Sequence, residues 1–200
     1  MLQSSAPDPG RVARPFRVLV VCTGNLHRSP LAERLLRARL AASPGTFEVS
    51  SAGTAGVTGT PMDPFAASLL TELGGDPRGA FARRLTTAHV EDSDLVLGAA
   101  VEHREAVARL SPLWALQRAF TLREFARLLR PEDAAGVTDP AGRAAALVGG
   151  AAARRGNTSG ADEDDVADPH GAPPETAREV ARRIVEPVER IAAAVLATPS

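Results

Sequence analysis

The sequence has no tyrosine, a single cysteine, and aromatic side chains at only 4% of its 200 positions. One cysteine excludes an internal disulfide, a cysteine-cluster metal site and any reaction that needs a second cysteine of the chain. No apolar run reaches the length of about 18 residues that a membrane-spanning helix requires. The formal net charge is -1, so the charge balance indicates neither nucleic acid nor an anionic membrane surface as a partner.

The chain has the size and composition of one domain. Its 200 residues are 44% apolar, which is enough for a hydrophobic core. Residues 1–15 lack the apolar segment of a signal peptide, and they predict a disordered tail before a domain over residues 16–198. A free reactive thiol without an export signal predicts a cytoplasmic protein.

Apolar runs alternate with helical periodicities along this domain. The predicted strands are residues 16–21, 47–51, 94–98 and 117–121, and the predicted helices are residues 30–42, 64–73, 101–110, 122–129 and 175–196. Such alternation is typical of βαβ units, and it predicts a single three-layer α/β domain with a central, four-stranded parallel sheet and helices on both faces. Residues 131–166 are rich in Ala, Gly, Arg and acids, and they predict a flexible insertion with a helical stretch near 143–154.

Residues 20–30, with the sequence VVCTGNLHRSP, combine the parts of an anion-binding loop. Cys22 follows directly after the first predicted strand, and five residues separate this cysteine from Arg28. Ser29 suits the N-cap of a helix and Pro30 its first position. The loop after the first strand therefore directs backbone N–H groups and the positive end of a helix at one point, as in phosphate-binding loops.

The same loop suits a thiolate nucleophile. A thiol reacts as the thiolate, a form that a helix N-terminus and a nearby cation such as Arg28 favour. Gly24 and Asn25 tolerate the positive φ angles of such a loop, and the Ser29 hydroxyl can donate to the Cys22 sulfur. A lone cysteine at a strand end is more often a small core residue, but the neighbouring residue types favour a function. A nucleotide-binding Walker loop is disfavoured, because its Gly and Lys positions are not matched.

A phosphoryl group captured on Cys22 needs an acid for the leaving oxygen and a base for water, and one carboxyl group can serve as both. Asp168 is the best candidate, since Pro169 restricts it to extended geometry in a loop before the last helix. A simple Asp-Pro turn is the alternative interpretation of this pair. Asp139, which precedes Pro140, is a second Asp-Pro candidate.

Three features of the chain occur together: the run VCTGNLHRSPLAE from Val21, the late sequence Asp-Pro-His-Gly, and a final helix. In this combination the chain resembles the low-molecular-weight protein tyrosine phosphatases. The resemblance implies Cys22 as the nucleophile of a cysteinyl-phosphate intermediate, Arg28 as the phosphate clamp, and Asp168 as general acid and then base. It also implies that Asn25 holds the loop in its strained shape, with Ser51 hydrogen-bonded to it, and it implies a group of phosphate-binding residues. The phosphate-binding residues are Thr23, Gly24, Asn25, Leu26, His27 and Ser29. It implies no metal and no organic cofactor.

The chain departs from this family where aromatic side chains usually enclose the phosphotyrosine ring. Val57, His170 and Gly171 hold those places here, which predicts weaker discrimination for phosphotyrosine or a different phosphorylated substrate. The family's Met-Asp pair after the third strand is replaced by Ala99 and Ala100, which removes a supporting carboxylate.

The sequence thus predicts a phosphomonoester hydrolase, and among these it favours a protein-tyrosine phosphatase. The expected substrate is a phosphotyrosine protein or a small phosphomonoester. One alternative is an arsenate reductase that uses an external thiol. Another is a non-catalytic phospho-ligand binding or regulatory module, which the missing aromatic residues favour. No nucleic-acid or membrane partner is expected. His89 and His103 show no partner pattern, and we expect both at the surface.

Overall fold

The computed structural model describes residues 14–155 and 164–197. Within these residues, four parallel strands form one sheet in the order β2-β1-β3-β4. The strands are β1 (Phe16–Cys22), β2 (Phe47–Gly53), β3 (Leu95–Gly98) and β4 (Ala119–Thr121). The predicted four-stranded parallel sheet is therefore confirmed, and β1 pairs with a neighbour on each side.

Helices connect these strands and follow the last of them. In the described part of the chain they are α1 (Arg28–Arg39), α2 (Pro64–Glu72), α3 (Thr87–Glu91), α4 (Val101–Leu110), α5 (Pro112–Arg118), α6 (Leu122–Leu128), α7 (Pro140–Arg154) and α8 (Pro174–Leu196). Short 3₁₀ helices occupy Leu40–Ala42 and Pro131–Ala134. Among the described residues, none of these helices has the length and apolar character needed to cross a membrane.

Side chains along β1 alternate between two apolar layers, because successive residues of a strand point to opposite faces. Val18, Val20 and Cys22 pack on one face with residues of α1, α2, α6, α7 and α8. Leu19 and Val21 pack on the other face with residues of α3, α4 and α5. The sheet is thus covered by helices on both faces, and the carboxyl ends of its strands meet at one edge, where ligands bind in such folds.

For residues 131–166 the sequence predicted a flexible insertion with a helical stretch near 143–154, and the structure places a helix there that packs against the core. The helical stretch is present as α7, over Pro140–Arg154, and its Leu147 is 0% exposed. Arg143 is also buried, and it donates hydrogen bonds to three backbone carbonyl groups, one of them near the end of α8. Alanine and glycine contribute little to a hydrophobic pattern, yet they let a helix pack closely against its neighbours. Residues 156–163 lie outside the described residues.

Two smaller differences concern the ends of elements. The predicted fourth strand began at residue 117, whereas α5 extends to Arg118 and leaves only three residues for β4. Of the predicted tail, residues 1–13 lie outside the described residues. Arg14, the first described residue, forms an ion pair with Asp94 at 2.7 Å.

Candidate active site

The loop between β1 and α1 is shaped by one residue in a left-handed conformation, Asn25, with a φ of 56°. The residue types left this role open to both Gly24 and Asn25, the family resemblance favoured Asn25, and the Gly24 φ is not positive. The Asn25 side chain is 1% exposed and fully bonded. Its Nδ2 donates to Ser29 Oγ at 2.9 Å and to Ser51 Oγ at 2.8 Å, while its Oδ1 accepts from the Arg83 N–H at 2.8 Å. These bonds hold a backbone conformation that only a few residue types adopt readily.

The end of β2 supports the loop from the other side. Ser51 Oγ donates to the buried Glu33 carboxylate at 2.6 Å, which fixes the hydroxyl that Asn25 bonds. A Cβ at Gly53 would lie 2.6 Å from the Thr23 carbonyl oxygen, so only glycine fits there. The predicted contact between Ser51 and Asn25 is thus present in the structure.

Helix α1 begins at Arg28, two residues earlier than the sequence predicted. Ser29, which we expected to be its N-cap, lies within its first turn, and His27 precedes the helix without a capping side chain. The Ser29 hydroxyl instead lies 2.9 Å from Cys22 Sγ. Because Asn25 already donates to Ser29 Oγ, the serine proton is available to the sulfur.

Arg28 joins this loop to the distant Asp168. Its side chain is 3% exposed, and its guanidinium has three acceptors. Nη1 donates to the Val166 carbonyl at 3.1 Å, and Nη2 donates to Thr23 Oγ1 at 3.2 Å and to Asp168 Oδ2 at 2.6 Å. Asp168 is half exposed, and its other oxygen accepts from the His170 N–H at 3.1 Å.

The second Asp-Pro candidate, Asp139, is engaged elsewhere. Its carboxylate accepts from the Gly142 N–H at 2.6 Å and thereby caps α7. Asp139 is not among the residues that line the cavity at Cys22, whereas Asp168 is. The structure therefore brings Asp168, and not Asp139, to the cysteine.

A cavity of about 700 Å³ lies over the loop. Six residues of the cysteine loop and α1 form one end of it: Cys22, Thr23, Gly24, Leu26, His27 and Arg28. We call this part the phosphate end. Asn25 and Ser29, also expected to bind phosphate, lie buried beneath it and do not line it.

The other end of the cavity, which we call the apolar end, lies between the start of α2 and the start of α8. Phe65, Pro169 and Ala177 are among the residues that line it. Phe65 is held close to the loop because the Asp63 N–H donates to the Leu26 carbonyl at 2.9 Å. Asp63 also caps α2, because its Oδ1 accepts from the N–H groups of Phe65 and Ala66 at 3.0 Å. The sequence gave no sign that Phe65 faces the loop.

The three positions that lack the expected aromatic residues have different surroundings. Val57 is 71% exposed and does not line the cavity. His170 and Gly171 both line it, and Gly171 has a φ of 71° in a turn closed by the Ala172 N–H and the Pro169 carbonyl at 2.9 Å. An aromatic residue at 171 would be strained in this turn, because side chains other than glycine rarely adopt a positive φ.

Two histidines lie close to the phosphate end. His103, expected at the surface, is 1% exposed. Its Nδ1 accepts from the Ala100 N–H at 3.0 Å, and its Nε2 lies 3.0 Å from Thr23 Oγ1. Burial lowers the pKa of His103, and the positive charge of Arg28 lowers it further. Burial also lowers the pKa of His27, against the opposing effect of Asp63. Neither ring nitrogen of His27 has a hydrogen-bond partner.

Potential metal ligands do not cluster at this site. Within residues 14–155 and 164–197, no group of three or more His, Cys, Asp and Glu side chains is placed to hold a metal ion. Besides the histidines and the helix-capping Asp63, the side chains around the cavity supply a thiol, a guanidinium, hydroxyl groups and the half-exposed carboxyl group of Asp168.

Comparison with known proteins connects this geometry to a family. The family model described as "Low molecular weight phosphotyrosine protein phosphatase" matches residues 17–147. The protein-tyrosine-phosphatase Etp of Escherichia coli K12 is 42% identical over 95 residues, which are 48% of this chain and 62% of Etp. Wzb of the same organism, also a low molecular weight protein-tyrosine-phosphatase, is 35% identical over 95 residues, again 62% of its length. The chain thus matches less than two thirds of the length of these curated relatives.

Two solved structures resemble the whole fold. The YwlE arginine phosphatase from Geobacillus stearothermophilus has a TM-score of 0.64 and 28% identity, over 89% of this chain and 91% of that one. The low molecular weight protein tyrosine phosphatase from T. tengcongensis has a TM-score of 0.64 and 28% identity, over 88% of this chain and 96% of that one. Asp168 lies beyond residues 17–147, the part of the chain that the family model matches.

Proposed function

Because this chain belongs to the low molecular weight phosphotyrosine protein phosphatase family, we propose that it hydrolyses phosphomonoesters through a cysteinyl-phosphate on Cys22. The observation that carries the proposal is the convergence of three side chains that line the same cavity, Cys22, Arg28 and Asp168. They supply a nucleophile, an anion clamp and a proton carrier.

In the first step, the Cys22 sulfur attacks phosphorus, the bond from phosphorus to the ester oxygen breaks, and Asp168 gives that oxygen a proton. In the second step, Asp168 takes a proton from water, whose oxygen attacks phosphorus, and the sulfur–phosphorus bond breaks. The Ser29 hydroxyl, 2.9 Å from Cys22 Sγ, stabilises the sulfur anion before attack and on departure. One carboxyl group thus serves as acid and then base.

Arg28 stabilises the charge on the transferring group. A guanidinium binds two phosphate oxygens in one plane, and positioned cations supply much of the catalysis in phosphoryl transfer. Substrate phosphate would compete with Asp168 for Arg28 Nη2, since the two are bonded at 2.6 Å.

The apolar end of the cavity supports an aromatic leaving group. The cavity, at about 700 Å³, is far larger than a phosphate group, and Phe65, Pro169 and Ala177 supply apolar surface beyond the cysteine loop. We propose phosphotyrosine, in a protein or in a small aromatic phosphomonoester, as the substrate. Val57 does not line the cavity, so no side chain from that position encloses the substrate ring. This supports weaker discrimination between phosphotyrosine and other phosphomonoesters than a fully enclosed ring would give.

The reaction also indicates where the protein works. A catalytic thiolate stays reduced in the cytoplasm, and we place the activity there. An arsenate reductase would need a thiol from outside the chain, because Cys22 is the only cysteine. A phospho-ligand binding module would retain the anion site without releasing phosphate, and turnover distinguishes it from the enzyme.

The test is hydrolysis of para-nitrophenyl phosphate without added metal. We expect wild-type protein to turn over, Cys22→Ser to be inactive, and Asp168→Asn to lose roughly 100-fold or more in kcat, as for loss of a general acid. Asp139→Asn is the matched control, because it alters the other Asp-Pro pair and should keep its kcat. Full activity in Cys22→Ser would sink the proposal.

Substrate choice needs a panel of phosphorylated peptides with one sequence. The panel compares phosphotyrosine, phosphoserine and phosphoarginine, the last because YwlE is an arginine phosphatase. We expect the highest kcat/KM for phosphotyrosine. Preference for phosphoarginine would keep the chemistry at Cys22 and overturn the aromatic substrate.

A further inference from the structure

His103 is a buried histidine that none of the steps above uses. It lies in the first turn of α4, between the Ala100 N–H and the Thr23 side chain. Only 1% of its surface is exposed, so its polar atoms depend on partners within the protein.

The bond to Ala100 fixes the tautomer of the His103 ring. A backbone N–H can only donate, so Nδ1 must present its lone pair, and a neutral ring then carries its proton on Nε2. Two oxygens lie within reach of that proton, Thr23 Oγ1 at 3.0 Å and Glu102 Oε1 at 3.3 Å. The Glu102 side chain is 69% exposed, so water competes for it, whereas Thr23 is the nearer and more enclosed acceptor.

Thr23 Oγ1 therefore receives two hydrogen bonds, one from His103 Nε2 and one from Arg28 Nη2 at 3.2 Å. A hydroxyl group has two acceptor lone pairs and one proton to donate. With both lone pairs occupied, the Thr23 proton is directed away from these two donors. Thr23 lines the cavity beside Cys22, so an anion bound there is the partner for that proton.

We propose that His103 is a positioning residue for phosphoryl transfer, which orients the Thr23 hydroxyl so that it donates to a phosphate oxygen at Cys22. The proposal rests on the proposed function. It adds a neutral donor to the charge stabilisation that Arg28 provides, and preorganised donors of this kind act where charge develops in the transition state. His103 never touches the substrate and acts through Thr23.

A double-mutant cycle tests this, with kcat for para-nitrophenyl phosphate as the readout. The variants are Thr23→Val, which removes the hydroxyl at nearly constant shape, His103→Leu, and the two combined. We expect each single variant to lose about tenfold in kcat and the double variant to lose little more, because both remove one hydrogen bond. Losses that multiply, or wild-type kcat in His103→Leu, would overturn the proposal. Thr23→Ser keeps the hydroxyl and should recover most of the rate.

A second variant guards against unfolding, since His103→Leu also removes the acceptor of the Ala100 N–H. Glutamine is favoured at this position of a helix, where it accepts from the N-cap N–H. His103→Gln should therefore melt near the wild-type temperature and still lose kcat. Glu102→Gln is the matched control, because it removes the other possible partner of Nε2, and its kcat should stay at the wild-type value.

The same four proteins of the cycle are titrated with inorganic phosphate, which needs no turnover. Coupling between Thr23 and His103 in phosphate affinity, in a wild-type protein that hydrolyses nothing, would overturn the phosphatase and support the role of His103. Coupling in both kcat and affinity supports both. Additive effects in both measurements, with turnover present, would overturn the role of His103 alone.

Discussion

The Val101 N–H donates a 2.8 Å hydrogen bond to Asp165 Oδ1, across 64 residues of sequence. Val101 is the first residue of α4, and the Ala100 side chain offers this helix no cap. The carboxylate that Ala100 lacks is thus supplied by the loop that carries Asp168. That loop is bonded again at the next residue, where the Val166 N–H donates to the Ala99 carbonyl at 2.8 Å.

Asp165→Ala should affect stability and catalysis together. Loss of an N-cap lowers the free energy of unfolding by about 1 kcal/mol, and a looser Asp168 should lower kcat more than it raises KM. Steady-state kinetics and urea unfolding measure the two effects. Asp139→Ala is the control, because it removes the cap of α7 at similar cost and should leave kcat unchanged. Unchanged kcat in Asp165→Ala would contradict the coupling.

Phe65→Ala should raise KM for aromatic phosphomonoesters without a matching change for small aliphatic ones. The Phe65 ring lines the apolar end of the cavity, and its removal deletes apolar surface that only an aromatic leaving group contacts. We expect a roughly 10-fold rise in KM, within the range for loss of a buried aromatic contact. Phe81→Ala is matched to it, since Phe81 is 58% exposed and does not line this cavity. An equal rise for both substrate classes would exclude Phe65 as an aromatic wall.

Asn25 carries both a strained backbone and the bonds that hold it. Asn25→Ala should lower the free energy of unfolding by about 2–4 kcal/mol, because alanine is disfavoured at positive φ and the polar groups of Ser51 and Arg83 lose a partner. Asn25→Gly adopts the positive φ without strain, so it should avoid the backbone cost but still lose the side-chain hydrogen bonds. Chemical denaturation should therefore rank the proteins wild type, Asn25→Gly, Asn25→Ala. Equal stability of the two variants would show that the φ angle contributes nothing.

Two buried histidines predict a loss of stability in acid. The pKa of His27 and that of His103 are both lowered by burial from the ordinary value of 6.5. Below pH 6.5 the unfolded chain binds protons that the folded chain does not, so this stability is complete above pH 6.5 and is lost as pH falls. Unfolding free energies between about pH 7.5 and 5.5 should decline by at most about 1.4 kcal/mol per pH unit for each histidine. His103→Gln should make the decline shallower, and an unchanged slope would remove His103 as a cause.

Leu147→Ala tests whether α7 belongs to the folded core. Leu147 is 0% exposed, so its truncation should cost about 2–5 kcal/mol in thermal or urea unfolding. A flexible insertion would show no cost. Leu113→Ala is the exposed counterpart, at 86% exposure, and should change stability by less than about 0.5 kcal/mol.

The sequence could predict those features of the fold and of the site that depend on neighbouring residues. The apolar run before Cys22 and the spacing to Arg28 are features of neighbouring residues, and they led to the sheet and to the anion loop. The residue types alone could not decide between Gly24 and Asn25 for the positive φ, because folding brings Ser51 and Arg83 to the loop. Only the family resemblance favoured Asn25. The burial of His103 beside the loop could not be predicted for the same reason, since its partner Thr23 is 80 residues away in the sequence.

Asn25, Ser51 and Gly53 give the loop at Cys22 its shape, and they do so before any anion binds. Such a loop loses little conformational entropy when an anion enters, and it fits a tetrahedral oxyanion whatever the rest of the molecule is. Inorganic phosphate, the product of the proposed reaction, should therefore compete with the next substrate. The reaction rate should then fall as the concentration of free phosphate around the protein rises.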